Sequence, residues 1–113
     1  MMSYEKLDVY QCAIDFLGIT IQVIDEMPKG SSILVDQLKR AAISIPLNIA
    51  EGAGKRSKAD CRKYFDIARG SAMECGAVLD VCLKLNLARG ERFIQGKKLL
   101  ERIVAMLTKL AEA

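Results

Sequence analysis

A line of polar side chains inside a long apolar segment could support either catalysis or a structural hydrogen-bond network. Steps of three and four residues place its members on one side of a helix: Gln37, Arg40, Ser44, Asn48 and Glu51. Catalysis would need a nucleophile beside a base, paired carboxylates or metal ligands. The chain has no His, and no Ser or Cys lies beside an evident base. We therefore assign no catalytic residue, no cofactor and no metal ligand.

The structural alternative is a buried or interfacial polar network that spans two helices. We expect its members to be Ser44, Asn48, Glu51 and Asp66. The two carboxylates would pair with Arg40, Arg62 or Arg69. Pro46 lies in the same segment, and inside a helix it removes a backbone donor at a cost of ~3 kcal/mol. We expect a kink at Pro46 and expect Ser44 and Asn48 to bridge the backbone groups that it frees.

Basic residues are concentrated just after this segment. Between residues 55 and 69 the local net charge is +4, against the acids Asp60 and Asp66. With Arg40, these cations form the predicted nucleic-acid-binding set: Lys55, Arg56, Lys58, Arg62, Lys63 and Arg69. Contact with backbone phosphates needs cations in a row and no base-specific geometry. A solvated helix face without a ligand is the alternative interpretation.

Two further features bear on nucleic-acid binding. We assign Tyr64 and Phe65 to the core, so base stacking is not expected, and binding should be electrostatic and salt-sensitive. The last segment carries a second candidate face with an equal claim: Arg89, Arg92, Lys97, Lys98 and Arg102.

The elements that must position these residues are four apolar-periodic segments separated by Gly- or Pro-containing breaks. Apolar steps of three and four predict bundle-type helices. Short loops make neighbouring helices antiparallel, so residues 1–113 are predicted to form one all-α, up-down-up-down four-helix bundle. Asp8 with Gln11, and Ser57 with Asp60, have capping-box spacing. The predicted helices run from near Asp8 to before Pro28, from Ser31 or Ser32 to Gly52–Gly54, from Ser57 to about Leu85, and from about Arg89 to the end.

Composition limits the class of protein. The 113 residues are 51% apolar, enough for one core. The net charge of +3 divides into −3 over residues 1–30 and +6 over residues 31–113, which mildly favours a polyanionic partner. We find no signal peptide and no run long enough to span a bilayer. Four cysteines without a C-x-x-C pair indicate buried thiols and a reducing cytoplasm.

The first two segments carry more apolar residues than a monomeric bundle needs. The surplus side chains are Tyr10, Ile14, Ile21, Ile43 and Leu47. Single exposed apolar residues are common on soluble proteins, but groups on two helices favour an interface. We predict a homo-oligomer that uses these residues. The alternative is a hetero-interface with another protein.

The segment around Pro46 also carries a family resemblance. Ser44–Gly52 reads S-I-P-x-N-I-A-E-G, preceded by residues 37–42 and followed by Ala68–Ser71 with Glu74. These motifs, with residues 7–10, resemble the four-helix-bundle family of 23S rRNA intervening-sequence proteins, formerly mislabelled ribosomal protein S23. That family is related to the accessory variability determinant of diversity-generating retroelements.

The resemblance implies a homopentamer around a central channel, a basic surface suited to RNA or DNA and, in the retroelement relatives, a reverse transcriptase as partner. Arg40, Asn48, Glu51 and Arg69 match polar positions of the family. We predict a non-enzymatic, homo-oligomeric bundle that binds nucleic acid. The alternative is a protein-interaction scaffold without direct nucleic-acid binding. An enzyme would need a strongly perturbed carboxylate, for which Glu51 is the candidate.

Overall fold

A computed structural model describes residues 2–113 as four α-helices preceded by a short 3-10 helix. The all-α four-helix bundle predicted from the sequence is confirmed, and the helix boundaries agree closely. No helix within residues 2–113 is both long and apolar enough to cross a membrane. The elements are the 3-10 helix Ser3–Lys6, α1 (Asp8–Asp25), α2 (Ser32–Ala53), α3 (Lys58–Lys84) and α4 (Glu91–Glu112).

The helices form a closed square in which each packs against two neighbours. The contacting pairs are α1–α2, α2–α3, α3–α4 and α4–α1. Arg62, early in α3, donates to the carbonyl oxygen of Ala111 late in α4, whereas Asp80, late in α3, pairs with Lys97. These two helices are therefore antiparallel. The resulting bundle is elongated, with extents of 44 × 22 × 20 Å.

The apolar residues that recur in steps of three and four along α3 and α4 form the core, and we call each of these rows the seam of its helix. Cys61 and Leu110, at the ends of their seams, are only partly buried. The seam residues of these two helices that are buried are Phe65, Ala68, Ala72, Cys75, Leu79, Cys82, Phe93, Gly96, Leu100, Ile103 and Leu107. The largest fully buried side chains of α1 and α2 are Phe16, Leu38, Ile45 and Ile49. Few of these are aromatic, so aliphatic packing dominates the core.

One of the two predicted helix caps is present. Ser57 precedes α3, and its hydroxyl accepts a hydrogen bond from the Asp60 backbone N–H at 3.1 Å. The cap predicted from Asp8 and Gln11 is wrong, because Leu7 occupies the N-cap position. The 3-10 helix leads directly into α1, so the Gln11 amide donates to the carbonyl oxygen of Glu5 at 3.2 Å instead.

The four cysteines are free thiols, as the sequence indicated. Cys12, Cys75 and Cys82 are buried, and Cys61 is half-buried. Burial raises the pKa of the Cys75 thiol to about 12, with a smaller contribution from the Glu74 carboxylate. Burial also raises the pKa of Cys82. Both thiols therefore stay protonated near neutral pH and act as small apolar core groups.

Candidate nucleic-acid interface

A polar bridge joins α2 to α3 in the middle of the bundle. The hydroxyl oxygens of Ser44 and Ser71 lie 2.8 Å apart. The side-chain amide of Asn48 donates to the Ser44 carbonyl oxygen at 2.8 Å and to its hydroxyl oxygen at 2.9 Å. Ser44 and Asn48 were predicted to cooperate, whereas Ser71 was not identified. The antiparallel register that brings Gly52 against Phe65 also places Ser71 opposite Ser44, and the sequence alone does not specify that register.

The carboxylates predicted for this network do not join it. Glu51 and Asp66 are exposed, and neither takes part in an ion pair within residues 2–113. The two ion pairs there are Arg92–Glu26 and Lys97–Asp80. The predicted pairing of Glu51 and Asp66 with arginines is therefore wrong for the single chain.

The arginines of α3 face α4 instead of the polar line on α2. The Arg62 Nε donates to the carbonyl oxygen of Ala111 at 3.0 Å. The Arg69 Nε donates to the Thr108 hydroxyl at 2.9 Å. The sequence periodicity placed these arginines near α2, but the α3 seam rotates them toward the other neighbouring helix. Both residues therefore hold α3 to α4.

Pro46 is buried inside α2, which continues past it from Ser32 to Ala53. A proline deprives the carbonyl four residues earlier of its donor, and here that carbonyl belongs to Ala42. The Asn48 amide binds the Ser44 carbonyl oxygen, so the expectation that it bridges the group freed by Pro46 is wrong. The kink at Pro46 stays a prediction.

Gly52 marks the closest approach of α2 to α3. A Cβ atom at this position would lie 2.8 and 2.9 Å from two ring carbons of Phe65 and 3.2 Å from the carbonyl oxygen of Cys61. Any side chain at this position would require the Phe65 ring to move. The sequence predicts a helix break at Gly52 and carries no sign of this contact.

The basic residues predicted to bind nucleic acid fall into two groups. Those in the α2–α3 loop and the first turns of α3 lie at one end of the bundle. Arg40 lies about 20 Å along α2 from that end, and Arg69 roughly 16 Å along α3 from Lys58, at ~1.5 Å per residue. The structure therefore brings neither Arg40 nor Arg69 into the cluster. We call the remaining group the basic end patch: Lys55, Arg56, Lys58, Arg62 and Lys63.

Charge pairing distinguishes this patch from the second candidate face. No member of the basic end patch takes part in either ion pair within residues 2–113. On α4, by contrast, Arg92 pairs with Glu26 and Lys97 pairs with Asp80. The two faces have an equal claim in the sequence, but ion pairs partly neutralise the second candidate face. The basic end patch therefore has the stronger uncompensated positive charge.

Tyr64 lies beside this patch and not in the core. Phe65 is buried as predicted, but Tyr64 is half-buried. The Lys55 and Lys63 ammonium nitrogens lie 5.1 and 5.7 Å from the centroid of its ring. One residue along a helix is a rotation of about 100°, which carries Tyr64 off the buried seam. Its assignment to the core is therefore wrong.

The residues predicted to form an oligomer interface are mostly exposed in the single chain. Leu47 is 64% exposed, and Ile14, Ile21 and Ile43 are exposed as well. Tyr10 is half-buried, with its ring 4.8 Å from that of Tyr4. Other large apolar side chains outside α1 and this part of α2 are exposed too: Ile33, Ile67, Met73, Val81, Leu83, Leu85 and Ile94. The apolar surface is thus wider than predicted.

Comparison with known proteins places this bundle in a family. The family model described as 23S rRNA-intervening sequence protein matches residues 5–109. The chain belongs to this family. The match confirms the family resemblance carried by Ser44–Gly52. The Ser44–Gly52 string contains the α2 side of the polar bridge, Ser44 and Asn48, and the glycine at the closest helix contact.

A solved structure has the same fold as this chain. It is that of a protein of unknown function from the S23 ribosomal protein family of Bacteroides thetaiotaomicron. The two chains are 19% identical and superpose with a TM-score of 0.84, over 93% of this chain and 99% of the other. No curated protein matches the sequence.

Proposed function

We propose that this protein is a non-enzymatic homo-oligomer that binds the backbone of RNA or DNA through the basic end patch. The observation that carries the proposal is the concentration of cations at one end of the bundle, none of them in an ion pair within residues 2–113. Phosphate groups are the ligands that such an uncompensated patch favours, and they can be held without reading base sequence.

The local helix geometry supports phosphate binding at the same place. The patch surrounds the first turn of α3, where the backbone N–H groups and the helix dipole favour an anion. Ser57 caps the Asp60 N–H. Arg62 uses its Nε for Ala111, which leaves the other donors of its guanidinium group for a ligand.

Assembly into a homo-oligomer would strengthen nucleic-acid binding, because one basic end patch alone binds weakly. Repeated patches on one assembly act multivalently on a long polyanion. The exposed side chains of Ile14, Ile21, Ile43 and Leu47 would supply the interface, at ~25 cal/mol per Å² of apolar surface buried. The resemblance described above favours a pentamer and, as a partner in a retroelement, a reverse transcriptase.

Binding to labelled structured RNA and duplex DNA across a salt series tests the proposal. We expect the logarithm of the affinity to fall linearly with the logarithm of salt concentration. The variant Lys55→Glu/Arg56→Glu/Lys58→Glu should lose most binding and reduce the salt slope by ~3 on duplex DNA. It spares Arg62, whose contact with Ala111 is structural.

A matched charge reversal on the second candidate face, Arg89→Glu/Lys98→Glu/Arg102→Glu, provides the control. It changes the net charge equally but leaves the basic end patch intact, so binding should decrease far less. Undetectable affinity at low salt, affinity that does not respond to salt, or equal losses in both variants would contradict the proposed site.

A protein-interaction scaffold is the second candidate, and the wide exposed apolar surface favours it. Sedimentation of the pure protein shows whether that surface serves self-association or the binding of another protein. An oligomer that Leu47→Glu dissociates supports self-association, whereas a clean monomer favours a hetero-interface.

A further inference from the structure

The Tyr64 ring lies at the surface of the basic end patch. It occupies the second turn of α3, next to the loop that carries Lys55. The other two tyrosines are placed differently, because the rings of Tyr4 and Tyr10 pack against each other with centroids 4.8 Å apart. Tyr64 is the tyrosine with ammonium groups near its ring, at 5.1 Å for Lys55 and 5.7 Å for Lys63.

The two lysines hold the ring weakly. A cation over an aromatic face at an exposed site is a small attraction, and a lysine side chain can leave by rotating its own flexible stem. A nucleic-acid base stacked on an aromatic ring gains more, and it does so whatever its sequence. A base can therefore take the place of an ammonium group on Tyr64. The displaced ammonium group would then be free to contact a phosphate of the same strand.

From this geometry we propose that Tyr64 is a stacking platform for an unpaired base, so that the basic end patch prefers single-stranded nucleic acid to duplex. The proposal rests on the proposed phosphate binding and adds the class of ligand. A base inside a duplex is stacked on both of its faces and cannot cover the ring. An unpaired base has a free face, and Lys55 and Lys63 flank the place where its strand would run.

The experiment compares a labelled single strand of thymidines with a mixed-sequence duplex of equal length on three proteins. These are the unaltered chain, Tyr64→Leu and Tyr64→Phe. We expect Tyr64→Leu to weaken single-strand binding by about 5- to 100-fold, the range that loss of one stacked base implies. Duplex binding should change less than about two-fold, because phosphate contacts alone carry it. Tyr64→Phe keeps the ring and should bind both ligands normally.

An abasic strand separates stacking from charge. The unaltered protein should bind it about as weakly as Tyr64→Leu binds the thymidine strand. Photocrosslinking of a 5-iodouracil strand to the unaltered chain gives a second measurement that needs no variant. The crosslink should map to Tyr64.

The outcomes distinguish this proposal from the proposed function. Equal losses on single strand and duplex, or no loss on either, would overturn the stacking platform while phosphate binding stands. A crosslink that maps away from Tyr64 would do the same. Failure of every nucleic acid to bind at low salt would overturn both. If Tyr64→Leu does not fold, as circular dichroism would show, the abasic strand and the crosslink still decide.

Discussion

Replacing Gly52 with Ala places a methyl group where α2 and α3 come closest. The added Cβ would lie 2.8 Å from a ring carbon of Phe65 and 3.2 Å from the backbone oxygen of Cys61. Carbon atoms in favourable contact are ~3.5–4.0 Å apart, so the ring must move. Phe65 is only 7% exposed, and the surrounding core leaves it little space to do so.

Two opposing effects set the size of the change. Overpacking a well-filled core costs ~1–3 kcal/mol. Exchanging Gly for Ala inside a helix contributes up to ~1 kcal/mol of stability, and less at Gly52, which lies next to the last residue of α2. We expect overpacking to dominate and the free energy of unfolding to fall by about 1–2 kcal/mol. The melting temperature should fall by roughly 4–8 °C.

Gly70→Ala is the matched control for this prediction. Gly70 lies inside α3, and a Cβ there would meet nothing within 4 Å. The same chemical change should therefore stabilise the chain by up to ~1 kcal/mol. Urea unfolding followed by circular dichroism measures both variants, at one protein concentration because association would make stability concentration-dependent.

The double variant Gly52→Ala/Phe65→Leu tests the cause. A smaller side chain at position 65 should remove part of the clash, so the double variant should lose less stability than the two single variants together. If Gly52→Ala proves as stable as Gly70→Ala, the steric explanation of this glycine is refuted.

Two further predictions concern the core and the α3 cap. In the folded chain the pKa of the Cys75 thiol is about 12, against the usual thiol value of 9.0. The stability that comes from this raised pKa is complete below pH 9. It is lost as pH rises toward 12, by at most ~1.4 kcal/mol per pH unit. Cys75→Ala should flatten this alkaline decline in urea unfolding. Ser57→Ala should cost ~1 kcal/mol in the same assay because it removes the cap on the Asp60 N–H.

Each of these predictions has a control. Val78→Ala truncates a buried side chain that has no ionisable group and should leave the alkaline decline unchanged. Equal flattening in Val78→Ala and Cys75→Ala would show that the Cys75 thiol is not its cause. Ser32→Ala, at the start of α2, removes a hydroxyl from a helix that has no side-chain cap. A loss there as large as in Ser57→Ala would refute the capping argument.

The sequence predicted the helices well because their apolar periodicity is long and uninterrupted. It predicted the surroundings of individual side chains less well. Tyr64 differs from buried Phe65 by one position. The apolar periodicity does not show which residues beside the buried row are exposed to solvent. The polar line on α2 correctly linked Ser44 with Asn48. It did not show which neighbouring helix the α3 arginines face.

The remaining errors come from interactions that depend on helix register. The partner of Ser44 is Ser71, which is 27 residues away, and only the α2–α3 register identifies it. The sequence predicts only a helix break at Gly52, because local propensity carries no information about the ring packed against it. Glu51 was expected to pair with an arginine, but the described chain leaves it at the surface.

The order of the helix contacts has a consequence for folding kinetics. Three of the four helix interfaces join helices that are consecutive in the chain, and only α4–α1 connects its two ends. Each consecutive pair forms by closing a short loop, which loses little chain entropy. Such a topology has low contact order, and chains of this kind fold in microseconds to milliseconds. Stopped-flow refolding should therefore be fast, with closure of α4 onto α1 as the one step that spans the whole chain.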